Sequence, residues 1–380
     1  MGALAFAIPG DIETRTGGYS YDRRVLAELP GLGVAPIHCE LPGSFPFPSA
    51  GDCAEALAAL RRTPAGVPVL VDGLAWGALP HAVAREAAAF LDGGLVALCH
   101  HPLGLETGLE PATARFLIGN ERMNLALADH VVVPSAAART VLVRDFAVPA
   151  GRISVAEPGT DPAPRAAGAA SRDAPGAGVA LLCVGAIVPR KGYDVLIEAL
   201  ASMTDLPWRL TIAGSTRRAV ATVAALEALI GARDLGGRVR LAGEVGDDDL
   251  ARLYHESDVF VLASHYEGYG MVLAEAMARG LPIVATTGGA AADTVPAPAG
   301  LKVAPGAAAA LAAALRAVVG DPPLRERLAE GSWRAGQSLP RWRDTAAIIA
   351  DAAARAQQAA NARDAAIAQA NATAREARAR

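Results

Sequence analysis

Two glutamates, Glu267 and Glu275, stand eight positions apart in the stretch SHYEGYGMVLAEAMARGLPIVAT. The first falls in a glycine-flanked bend directly after an apolar run, the second inside the helix-patterned segment that follows. Carboxylates accept hydrogen bonds, and a hydroxyl-rich ligand supplies donors to fill them. Gly268 and Gly270 let a backbone approach a ligand closely. The amides from Gly268 through Tyr269 and Gly270 to Met271, at a helix start, favour a phosphate. The stretch therefore asks for a ligand with sugar hydroxyls at one end and phosphate at the other.

Three further loops carry residue types suited to the same chemistry. In VALLCVGAIVPRKGYDVLIEAL, Arg190 and Lys191 lie between an apolar strand pattern and an amphipathic helix, where two cations and a helix dipole would meet an anion. In CHHPLGLET, His100 and His101 leave a strand that Pro102 stops, placed to donate to a hydroxyl or to move a proton. No third metal ligand stands nearby in the spacing, so no metal site is expected there. In PGDIETRTGGYSYDRR, Gly17 and Gly18 lead into a helix expected at Ser20, whose first amides could hold a phosphate or another polar ligand.

These loops need strands to hold them. Apolar runs of strand length, LAFAI at Leu4 to Ile8, then VPVLVDG, LVALCHH, HVVVPS and RISVAEP, alternate with helical patterns such as DCAEALAALRR. Nearly continuous apolar strands separated by helices predict a parallel sheet covered on both faces. From Glu157 to Gly178 the text turns to Pro, Gly, Ala and Ser, a linker composition. The alternation then restarts with VALLCVG, WRLTIAGS, RVRLAGEV, DVFVLAS, LPIVAT and GLKVAP. Two doubly wound α/β domains follow, with ligands expected beyond the carboxyl ends of their strands.

Composition narrows the class. At 380 residues two cores are expected rather than one, and 52% hydrophobic with only 4% aromatic content suits Ala, Val and Leu helices packed on buried sheets. A net charge of -4 removes the electrostatic footprint of a nucleic-acid binder. Cys39, Cys53, Cys99 and Cys183 lie too far apart for a metal motif and read as reduced thiols. The N-terminal MGALAFAIPGDIE lacks a basic region and reads as a first strand, not a signal peptide. No tract reaches membrane-spanning length, and the expected location is cytoplasmic. After Pro340 the chain is rich in Ala and Arg, without Gly or Pro, and reads as helix. Seven Arg against four acids there leave open an anionic membrane surface at the inner face, beside a solvated helix or an oligomer contact. Asp247, Asp248 and Asp249 read as acids at a helix start.

Taken together, EGYGMVLAEAMARGLPIVAT, VGAIVPRKGYDVLIEAL, CHHP, the Gly17–Gly18 loop and PGTD resemble the retaining glycosyltransferases of family 4, which have the GT-B fold, over the chain to about residue 350. The resemblance implies two Rossmann-like domains facing each other across a cleft. An acceptor-binding domain would occupy 1–165, a linker 166–178, a nucleotide-sugar domain 179–340, and a C-terminal helical segment 341–380 that crosses back. It implies that Glu267 contacts the hydroxyls of the donor sugar, Glu275 the ribose of the nucleotide and Lys191 the diphosphate, with the Gly268 to Met271 amides beside it. Gly243 to Val245 would wall the base, and His100 would sit near the reaction centre with His101 in reserve. Where the family often has an arginine after the glycine at 185, this chain has Ala186, which leaves Arg190 to supply the charge. The implied donor is a nucleoside diphosphate sugar of UDP or GDP type, the partner a hydroxyl-bearing acceptor, and no further cofactor or metal is required. A nicotinamide oxidoreductase is disfavoured because no GxGxxG follows a strand. The remaining alternatives are a nucleotide-sugar epimerase or hydrolase of the same fold and a non-catalytic sugar-binding scaffold.

Overall fold

The computed structural model describes residues 2–168 and 178–379. Residues 169–177, within the stretch read as a linker, lie outside them. The chain divides into two compact units, one formed by Met1–Gly159 with Arg341–Arg380 and the other by Thr160–Pro340.

In the first unit six parallel strands, β1 (Ala3–Pro9), β2 (Ala35–Leu41), β3 (Val69–Asp72), β4 (Leu95–Leu98), β5 (His130–Val133) and β6 (Ile153–Val155), lie in the order β2-β1-β3-β4-β5-β6. β3, β4 and β5 are buried along their whole length, as their uninterrupted apolar text predicts. β2 was not expected. It lies at the sheet edge, and its sequence APIHCEL mixes Pro36, His38 and Glu40 with half-exposed positions, so no apolar run marks it. The helix after β1 starts at Gly17, earlier than the expected Ser20. Thr16 caps it, its hydroxyl accepting from the Tyr19 amide at 3.0 Å.

The second unit repeats the plan with β7 (Val179–Val184), β8 (Trp208–Ala213), β9 (Val239–Gly243), β10 (Val259–Leu262), β11 (Ile283–Thr286) and β12 (Gly300–Val303), ordered β12-β11-β10-β7-β8-β9. The sheet reverses direction of growth between β7 and β10, the place where an open parallel sheet opens a crevice at its carboxyl edge. The segment ahead of residue 169 is tied to this unit, with Ala166 donating to the Arg279 carbonyl at 2.9 Å and Ala167 to that of His255 at 3.0 Å. Asp247, Asp248 and Asp249 form the first turn of the helix Asp247–His255, as the sequence suggests.

The helix Trp342–Ala379 returns to the first unit and packs against β4, β5, β6 and the helix Gly17–Glu28. Its contact stripe, Ala346, Ile349, Ala353, Ala356 and Ala360, recurs at alternating steps of three and four and is fully buried. Small residues there let backbones approach. A Cβ placed on Gly94, whose φ is 98°, would meet the Ala356 carbonyl carbon at 2.5 Å. From Asn361 onward the described side chains are exposed, and among the described residues no helix is long and apolar enough to cross a membrane. Two outcomes follow for chemical denaturation. Ile349→Ala should lower the unfolding free energy of the first unit by about 2–4 kcal/mol, whereas removing the residues after Asn361 should leave it nearly unchanged.

Candidate functional site

Glu267 is held by backbone before its side chain does anything. It leaves β10 through Ser264, forms a lone parallel bridge with Gly289, donates its amide to the Gly288 carbonyl at 3.1 Å and accepts at its own carbonyl from the Ala290 amide at 2.9 Å. The loop after β11 therefore fixes the loop after β10. Gly288 and Gly289 are required for this approach, because a Cβ on either would overlap the backbone of His265 or Glu267. Sequence reasoning passed over this pair, although a double glycine directly after an apolar strand was the available signal.

The cations arrive on the neighbouring strand. Pro189–Lys191 make one 3-10 turn after β7, and Gly192 then takes a left-handed φ of 61°, packed so closely on the Ala263 carbonyl that no side chain fits. The His265 amide donates to the Arg190 carbonyl at 2.8 Å, and Arg190 Nη1 to the Tyr266 carbonyl at 2.7 Å. With the loops stitched this way, Lys191 Nζ donates to Glu267 Oε1 at 2.7 Å, and Arg190 Nη1 lies 3.6 Å from the same oxygen. Lys191 and Glu267 are both buried. Burial pushes the Glu267 carboxyl up, but the Lys191 and Arg190 charges outweigh it and hold the group below the ordinary glutamate range.

Gly270, with φ 89°, caps the helix Met271–Ala278, whose first turn holds no acid to oppose an anion. Tyr269 packs its side chain into the hydrophobic core. Glu275 has different partners from Glu267. It is half-buried, and its Oε2 accepts from the buried Tyr254 hydroxyl at 2.9 Å, while Arg279 lies over the Tyr254 ring at 4.5 Å. Burial raises its carboxyl, offset in part by that hydrogen bond and by Arg279. Tyr254 was not anticipated from the sequence, since an aromatic on an amphipathic helix reads as core.

In the first unit His100 meets two acids that no motif singled out. Its Nε2 lies 3.1 Å from Asp22 Oδ1 and 3.7 Å from Asp72 Oδ2. Asp22 comes from the helix behind Gly17 and Gly18, and Asp72 from the end of β3, where its other oxygen accepts from the Leu74 amide at 2.6 Å. The three polar groups lie within 4.8 Å of one another. The expectation that no further ligand-type residue stands beside the histidines is thereby corrected: Asp22 and Asp72 are distant in sequence and adjacent only through the β1-β3-β4 order. His101, half-buried, follows in the same bend, and it is His100 that faces the acids. Gly18 lies against the imidazole, an added Cβ standing 3.5 Å from its Cδ2, while Gly17 is the first residue of the helix.

Residues 21–164 match the model described as Glycosyltransferase Family 4, and residues 170–333 the one described as Glycosyl transferases group 1. The chain belongs to glycosyltransferase family 4. It is 31% identical over 277 residues to a D-inositol 3-phosphate glycosyltransferase of Kineococcus radiotolerans, covering 67% of this chain and 63% of that protein. A mannosylfructose-phosphate synthase of Agrobacterium fabrum is 30% identical over 173 residues, 42% of this chain and 38% of that one. These alignments span less than two thirds of the relatives' own lengths. Among solved structures, sucrose-phosphate synthase from Thermosynechococcus elongatus superposes with a TM-score of 0.78 at 22% identity, covering 92% of this chain and 98% of that one. The Anabaena protein HepE in complex with UDP-glucose gives 0.67 at 19% identity, covering 95% and 99%. The fold is thus GT-B.

Beneath the CHHP bend of this family 4 chain lies a further acid, Glu121. It is buried, accepts from the Leu103 amide at 2.9 Å and faces Cys99 Sγ at 3.7 Å. Burial raises its carboxyl from the ordinary 4.5 to about 8, with the Leu103 amide and Cys99 pulling the other way. A folded-state value above the unfolded one means that the folded chain keeps a proton the unfolded chain gives up. Stability is therefore lost progressively as pH rises between the two values. Glu121→Gln retains an oxygen for Leu103 but no ionisable group. Its melting temperature should fall less between about pH 5 and about pH 8 than that of the unchanged chain.

Proposed function

We propose that the protein transfers a hexosyl group from a nucleoside diphosphate sugar, of UDP or GDP type, to an acceptor hydroxyl with retention at the anomeric carbon. The observation that carries this reading is the convergence of Lys191 and Arg190 on the buried Glu267, beside a glycine-gated helix start at the carboxyl edge of β7 and β10. The two cations and the amides from Gly268 to Met271 suit a diphosphate. Glu267, ionised and held in place, suits sugar hydroxyls, and Glu275 suits the ribose. HepE, solved with UDP-glucose, supports a donor of that class. His100 is assigned the first unit's contribution to catalysis, as a polar contact to the reacting sugar.

Bond breaking leaves negative charge on the departing diphosphate and positive charge on the sugar ring. Fixed cations at the diphosphate stabilise the first without reorganisation, the effect that contributes most in many enzymes. The departing phosphate oxygen itself accepts the proton of the incoming hydroxyl on the same face, so no separate carboxylate base is needed. Ala186 leaves the position after Gly185 uncharged, and Arg190, anchored on the Tyr266 carbonyl, supplies the second cation. Metal is not required for this charge balance.

Panels of nucleotide sugars, first screened by the rise in melting temperature they cause, identify the donor for assay. With donor and acceptor present, Lys191→Ala should reduce release of nucleoside diphosphate by about 100- to 1000-fold, while Arg190→Ala should reduce it less. Near-normal release by Lys191→Ala would remove the scheme. Binding without release, by the unchanged chain across the panel and a broad set of acceptors, would favour a non-catalytic sugar-binding role instead.

A further inference from the structure

Asp22 and Asp72 are buried acids without a part in this scheme, and what they do to His100 deepens the proposed function, on which the inference rests. Both point at a single ring nitrogen. Their oxygens stand 3.1 and 3.7 Å from Nε2, and their side chains are 0% and 5% exposed while the imidazole keeps 22%. Carboxylates on that side require Nε2 to carry a hydrogen.

The surroundings fix the charge as well as the tautomer. The Asp22 side chain is fully buried beside the Asp72 carboxyl, a costly place for negative charge unless positive charge sits beside it. The charged groups acting on the imidazole are Asp22 and Asp72. Around them, the Tyr21 ring stands edge-on at 5.0 Å, Arg24 lies over the Trp342 ring, and Glu121 faces Cys99. Burial, followed by the Asp22 charge, raises the Asp72 carboxyl to about 8, so Asp72 holds a proton more readily than an ordinary aspartate, and positive charge on His100 offsets the negative charge that burial leaves on the pair.

We propose that Asp22, backed by Asp72, is a positioning residue that clamps His100 as an imidazolium, with Nε2–H committed to the acids and Nδ1–H left to donate to the ligand. His100 then contributes a directed hydrogen bond and a positive charge, and does not act as a general base. The clamp also ties the helix after β1, which carries Asp22, to the ends of β3 and β4.

The test is an NMR titration of the histidine side chains in the full chain, with the His100 signal assigned by its loss in His100→Gln. In the unchanged chain the His100 midpoint should lie above the ordinary histidine range of about 6.5. In Asp22→Asn it should fall by about one pH unit or more, and the alkaline limb of the turnover profile should move down with it, with Asp22→Glu partly restoring both. A His100 midpoint at or below the ordinary range in the unchanged chain overturns the clamp by itself, and serves if Asp22→Asn does not fold. An unmoved midpoint in Asp22→Asn overturns it equally. Mn2+ or Zn2+ retained by the unchanged chain after dialysis and lost in Asp22→Asn would also overturn it, by making the trio a cation site. The titration reads the clamp whether or not sugar is transferred, so failure of transfer with a normal titration would reject the proposed function alone.

Discussion

The hydrogen-bonded ion pair between Lys191 and Glu267 is the contact around which the second unit's site is arranged. Two opposite charges removed from water attract strongly only if geometry is kept, and either one alone would be costly to leave buried. The chain keeps the geometry with backbone. The His265 amide on the Arg190 carbonyl, Arg190 on the Tyr266 carbonyl and the Glu267–Gly289 bridge bring three loops into register before any side chain is considered. Arg190, near the same carboxylate oxygen, leaves the cluster with an excess of positive charge, which an arriving anion can use.

That excess explains why a buried pair would persist where an apolar substitute could pack as well. A pair of this kind contributes little net stability. Under the proposed function its use lies in holding ammonium and carboxylate in fixed positions, ready to exchange one another for phosphate oxygens and sugar hydroxyls. Glu275 follows a different rule. Its neighbour is a neutral phenol, and its carboxyl is raised where that of Glu267 is lowered. Two glutamates of one short motif are thus tuned in opposite directions by what the fold places beside them.

In the first unit the same economy appears with the signs reversed. Here one imidazole meets two carboxyl groups, and burial with the Asp22 charge raises that of Asp72. Glu121, raised for the same reason of burial, supports the bend that carries His100 through the Leu103 amide. The unit carries these buried acids on a sheet whose strands β3, β4 and β5 are buried along their whole length, and it is closed by a C-terminal helix whose alanines let it pack against Gly94.

The sequence by itself determined the strand and helix alternation, the two-sheet plan, the positions of Lys191, Glu267 and His100 in loops after strands, and that of Glu275 in the helix behind Glu267. Those features are local: apolar runs, glycine bends and helix starts are written in consecutive residues. Legibility failed at β2, where an exposed edge needs no apolar run, and at Gly288, Gly289 and Tyr254, which read as an ordinary turn and an ordinary core aromatic. It failed most clearly at Asp22 and Asp72. Each is an unremarked acid in its own segment, 78 and 28 positions from His100, and nothing in either neighbourhood marks it. Only the strand order β1-β3-β4 makes them neighbours. Which carboxyl keeps a proton and which is driven to ionise was likewise decided by the tertiary structure, because burial and the nearest charge, rather than residue type, set that balance.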